Sequence, residues 1–187
     1  AIIAVITFGK NAALGTGLKG EILDAESKMA TSYFQSPMIS SAPNFLSYYA
    51  VYNYDSLDRK YFSTSGTIFK SEYTKSTHNM GNTDFEFNKT SLKQLITLSK
   101  KHVVSITADS SLLLNSGKIS PDYLPVIGGE YCTNNAIEFF GIQNNEYFGK
   151  RTAKAGIGFQ HEFNKNRLIK LSFNTAFIEG LEADNEK

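Results

Sequence analysis

From residue 66 onward the chain alternates: Phe69 and Tyr73 fall on one side of the backbone, Lys70, Glu72 and Thr74 on the other. A period of two predicts a strand with one apolar and one polar face. The same signal predicts strands over residues 1–8, 14–23, 29–35, 45–54, 66–75, 90–99, 103–114, 152–163 and 168–178, about nine in all. The last two carry the cleanest pattern. Ala153, Ala155, Ile157, Phe159 and Phe163 oppose Lys154, Gly156, Gly158, Gln160 and Glu162, and Ile169, Leu171, Phe173 and Phe177 oppose Lys170, Ser172 and Asn174.

The connections differ in length. Residues 55–60, 100–102 and 164–167 read as compact polar turns. Residues 36–44 hold Pro37 and Pro43 and read as a loop, as does the polar stretch 76–89 around Gly81. Residues 115–150 form the longest irregular stretch, punctuated by Pro121, Pro125, Gly128, Gly129, Gly141 and Gly149. A loop of that length is usually functional or disordered. Most predicted strands reach the ~9–11 residues that a tilted membrane strand needs. Short and long connections tend to alternate, as the turns and loops of outer-membrane barrels do. A soluble β-sandwich or lipid-binding barrel would give the same periodicity. Strand length and loop ratio favour an all-β, antiparallel transmembrane β-barrel. In that fold the apolar face meets outer-membrane lipid and the polar face meets water.

Composition sharpens this picture modestly. The 187 residues suffice for one domain. A net charge of +1 gives no electrostatic case for nucleic acid. Cys132 is the single cysteine, so neither an internal disulfide nor a cysteine cluster can form. Ten Tyr and fourteen Phe suit strands and membrane interfaces. No apolar run approaches the ~20 residues of a spanning helix. Residues 1–8 lack the flanks of a signal peptide and read as a strand whose beginning lies upstream. Open strand edges would then favour association with itself or a partner.

Candidate chemistry is sparse. Gly15-Thr16-Gly17-Leu18-Lys19-Gly20 matches a dinucleotide fingerprint, yet strand alternation continues through it and no helix follows. Neither a nucleophile elbow nor a phosphate loop is present. His78, His102 and His161 lie far apart in sequence, and His161 sits on an apolar face beside Phe159 and Phe163. Asp55 and Asp58 could be a carboxylate pair, but in a turn Asp commonly accepts from nearby backbone amides. Asp109 lies on the polar face of its strand, paired or solvated there. No catalytic residue, cofactor or metal is expected.

Two motifs carry a resemblance. Asp55-x-Leu57-Asp58-x-x-x-Phe62-x-x-x-Gly66, followed by an alternating strand, is similar to a signature of the bacterial surface-antigen superfamily, the outer-membrane barrels of assembly and secretion proteins. That family usually has Pro where Ser63 stands. Val126-Ile127-Gly128-Gly129, then Phe140-Gly141, then Tyr147-Phe148-Gly149 and a strand, resembles the family segment that folds back into the barrel lumen. The resemblance implies an arginine against the inner wall, and Phe140 occupies its position. That departure resembles the branch in which the barrel follows a patatin-like phospholipase, as in patatin-type autotransporters. It implies a fragment of a barrel of about sixteen strands, lacking the first and last. It also implies a bacterial outer-membrane location and an upstream domain as partner.

Overall fold

The computed structural model describes residues 2–22, 44–59, 62–77, 85–116, 124–129, 136–142, 147–164 and 167–180. The expected strand at 29–35, all of the expected loop at 36–44 except Asn44, which begins a strand, and His78 and Cys132 lie outside the described residues. Eight strands form one antiparallel sheet in the order β1-β2-β3-β4-β5-β6-β10-β11. They are β1 (Ile2–Phe8), β2 (Ala12–Ile22), β3 (Asn44–Asp55), β4 (Gly66–Thr77), β5 (Phe85–Ser99), β6 (His102–Ser116), β10 (Arg151–Asn164) and β11 (Arg167–Glu179). Every pair of neighbours in this order is antiparallel. Three short strands, β7 (Val126–Gly128), β8 (Ala136–Glu138) and β9 (Tyr147–Phe148), form a second sheet.

The meander follows from the spacing of apolar residues and the alternation of connections. At one rim the described links are Gly9–Asn11, the described residues of the turn between β3 and β4, and Lys100-Lys101. The glycine fingerprint lies wholly within β2, paired with β3 throughout and with β1 over residues 15–18, so it opens no helix.

Register places the outward row across β6, β10 and β11 side by side: Ile106 opposite Ile157 opposite Phe173, and Val104 opposite Phe159 opposite Leu171. These side chains do not meet one another in a dry interior. Phe159 is 39% exposed and Phe173 82%. A sandwich core built from them, the soluble alternative, is therefore not the fold adopted. The outward face is less uniform over β4 and β5, where Thr67, Ser71, Asn88, Thr90 and Gln94 share it with Phe69 and Leu92. Their polar atoms bond one another: Ser71 Oγ lies 3.3 Å from Thr90 Oγ1, Thr90 Oγ1 donates to Asn88 Oδ1 at 3.1 Å, and Thr67 Oγ1 donates to Gln94. Mutual bonding lowers the cost of turning such groups away from water.

Two expectations are corrected. Residues 76–89 are not all loop, because β5 begins at Phe85. Residues 115–150 are not irregular throughout, because β6 runs to Ser116 and β7, β8 and β9 follow. Both corrections have one cause. Phe85, Phe87 and Leu113 point to the polar face and are buried there against Leu124, with Phe148 packed on the cluster. Burying side chains of this size is worth ~1.5–3 kcal/mol each, which holds the inner segment on the sheet.

Candidate functional site

The turn between β3 and β4 is built by its aspartates. Asp55 Oδ1 accepts from Leu57 N at 2.9 Å. Asp58 Oδ1 accepts from Thr64 N at 2.8 Å and Ser65 N at 3.1 Å, and its Oδ2 from Thr64 Oγ1 at 2.7 Å. Ser56 N donates to Thr67 O, and Thr67 N donates back to Ser56 Oγ. Thr97 Oγ1, from β5, donates to Thr64 O at 2.7 Å and ties the turn to the next hairpin. Both carboxylates thus close the backbone, as Asp does in turns, and are not arranged for proton transfer. Phe62 has a φ of 52° and is 70% exposed at the tip.

The Thr64 hydroxyl and the two amides hold the Asp58 carboxyl down at about 2, from an ordinary 3.8. A depressed carboxylate stabilises the folded state above its unfolded value, and that contribution disappears as pH falls through its folded value. Thermal melts of the reconstituted protein should therefore lose stability between about pH 4 and pH 2. Asp58→Asn should be less stable at neutral pH by roughly 1 kcal/mol, allowing for exposure, and should lose the part of that acid dependence due to Asp58. An unchanged acid profile in the variant would contradict this assignment.

The second candidate region comprises residues 124–129, 136–142 and 147–150, with β7, β8 and β9 laid on the polar face. β7 pairs with β8 in parallel and with β9 antiparallel. Pro125, Val126 and Ile127 are fully buried. Phe139 N donates to Gly128 O at 2.7 Å, and Gly149 N to Pro125 O at 3.0 Å. Gly149 passes so close to the end of β11 that a Cβ there would stand 2.5 Å from Glu179 O. Gly128 is buried, Gly129 half-buried and Gly141 exposed in the turn after Phe140. Phe140 is itself 72% exposed.

What fastens the segment comes from the sheet. Lys89 Nζ, on β5, donates to Ala136 O at 2.9 Å. Lys154 Nζ, on β10, donates to Glu138 O at 2.8 Å and pairs with Asp109 Oδ2 at 2.7 Å. Asp109 Oδ1 accepts from Ser91 Oγ at 2.6 Å. The Lys154 and Asp109 side chains are only 13% and 19% exposed, so this pair is shielded from bulk solvent. Asp109 is paired, as its polar-face position suggested. The two lysines went unnoticed in the sequence, where a lysine on a polar strand face reads as solvated. The structure places Asp55, Asp58, Phe62 and Gly66 in one turn, and Gly128, Gly129, Phe140, Gly141 and Gly149 in a separate region, that of the segment carried on the polar face of the sheet.

A long antiparallel meander with an apolar face outward, a polar face inward and a folded-back segment on the polar side defines a β-barrel membrane domain. A family model described as the OMP85 superfamily matches residues 3–181, and the chain belongs to that superfamily. No curated protein matches the chain in sequence. Proteins of this superfamily are bacterial outer-membrane proteins, and their barrel domains are generally non-enzymatic.

Proposed function

We propose that the chain is the membrane part of an outer-membrane protein that anchors, and exports, a patatin-like phospholipase domain located upstream. The observation supporting this reading is the replacement at Phe140. The superfamily's inner segment resembles one that presents an arginine to the wall; here that position is an exposed phenylalanine, and lysines of the wall hold the segment by its backbone. A barrel in which the segment serves as a lumen filler, and not as part of an assembly or translocation machine, suits an anchor. The physics is that of any spanning sheet: paired strands satisfy backbone amides and outward aromatics replace contacts with water. On this reading the eight strands contribute to a closed barrel of about sixteen, and the bacterial outer membrane is the chain's location.

The alternative within the same superfamily is the barrel of an assembly or secretion factor with no enzyme attached. The two are separated by the full-length protein. A G-x-S-x-G elbow upstream, hydrolysis of a phospholipid by the purified full-length protein, and its recovery in the detergent-extracted outer-membrane fraction are the expected results. Several tandem periplasmic modules upstream, with no such elbow, would overturn the anchor reading. Recovery in the soluble fraction without detergent would overturn both.

A further inference from the structure

Register brings together two histidines that are far apart in the chain. His102, the first residue of β6, stands directly opposite His161 of β10. Glu162 N donates to Lys101 O at 2.9 Å, so the His pair is the adjacent position without ladder hydrogen bonds, where opposed side chains come closest. The imidazole centroids are 4.7 Å apart. His102 stacks on Phe159 at 5.6 Å, and His161 meets the edge of Phe163 at 4.4 Å. All four rings lie on the outward face. Ser99 Oγ accepts from Lys101 N at 3.3 Å and lies 2.7 Å from His102 Nδ1. The Ser99 contact thus engages the ring through Nδ1 and leaves Nε2 outside it.

Two further observations meet at this point. Beside the rings runs a groove of about 480 Å³ lined by Val104, Ile157, Phe159, Leu171 and Phe173, almost wholly apolar. Beyond it, at the turn between β5 and β6 and the start of β11, stand Lys100, Lys101 and Arg167, all exposed; the described ion pairs involve none of them. His161 is four residues from Ile157, which lies near the middle of β10. At ~3.3 Å per residue and a tilt of ~45° that is about 9 Å in depth. The pair therefore sits towards the edge of an apolar band ~25 Å tall, where head groups begin.

We propose that this rim is a binding site for one anionic phospholipid. An acyl chain occupies the groove over Phe159 and Phe173, and the phosphodiester lies between the imidazole pair and the cations Lys100, Lys101 and Arg167. Lys100, Lys101 and Arg167 supply three cationic donors there, against one carboxylate, Glu162, which stands opposite Lys101. Charge complementarity selects a negative head group, and the adjoining slot selects a lipid over free phosphate. The proposal rests on the membrane reading of the outward face.

The test uses the full-length protein in mixed micelles holding equal phosphatidylglycerol and phosphatidylcholine, with retained lipids read by native mass spectrometry. The wild type is expected to retain phosphatidylglycerol preferentially, and excess inorganic phosphate is expected to leave it in place. Each of Lys100→Gln, Lys101→Gln and Arg167→Gln should lower that preference about fivefold, the effect of one basic residue at a charged membrane surface. Lys10→Gln, in a different turn of the same rim, should not. His102→Gln with His161→Gln should weaken retention while the protein still folds, as heat-modifiable mobility on gels reports. Equal retention of the two lipids by the wild type, or displacement by phosphate, overturns the site and leaves the membrane reading standing. Failure to retain either lipid overturns both.

Discussion

Phe173→Arg should leave the protein largely unable to refold into lipid vesicles, while Ser172→Arg, one residue away, refolds. Phe173 lies at the middle of β11 on the outward face, opposite Ile157, which is itself opposite Ile106. A guanidinium at that depth costs ~2–4 kcal/mol on the lipid face of a barrel. Ser172 points to the polar side, where the same charge meets water or carboxylates. Since domains are stable by only about 5–15 kcal/mol, the first change is large and the second small. Heat-modifiable mobility and urea titration of vesicle-folded protein give the comparison. Equal stability of the two variants would show that Phe173 does not face hydrocarbon.

Gly66→Ala should destabilise the protein nearly as much, through the turn and not the membrane. Gly66 has a φ of 115°, a region that side-chain-bearing residues rarely enter. A Cβ there would stand 2.8 Å from Leu57 Cα and closer still to Ser56 O. Neither atom can give way, because Ser56 is bonded to Thr67 and Asp58 to Thr64 and Ser65. Backbone strain of this kind costs ~1–3 kcal/mol before the overlap is counted. Urea midpoints of folded protein should fall accordingly, with Thr64→Ala giving a smaller loss. A Gly66→Ala protein as stable as the wild type would mean the turn relaxes in a way its bonds do not allow.

Much of this architecture is legible along the chain. β6, β10 and β11 announce themselves because each has one consistently apolar face against water-like neighbours. The Asp58 turn is legible too, since aspartates followed by Ser, Thr and Gly have few other uses. The start of β5 is not. There Phe85 and Phe87 turn to the polar face while Glu86 and Asn88 turn outward, the reverse of the chain's general rule, because the inner segment covers the two phenylalanines. Only the covering segment reveals why, and it lies in a different part of the sequence. β7, β8 and β9 have three, three and two residues, too few for any periodicity to register. The lysine contacts are hidden for another reason. Lys89 reaches a carbonyl 47 positions away, and carbonyls leave no trace in a sequence.

That last fact has a consequence for variation within the inner segment. Lys89 and Lys154 grasp main-chain oxygens, which every amino acid supplies alike. Ala136 and Glu138 are thus open to exchange without loosening the grip, whereas either lysine, once replaced by a side chain that cannot donate, releases it. The fastening is indifferent to the identity of what it fastens, so drift in natural relatives should concentrate on the held strand and spare the two hands that hold it.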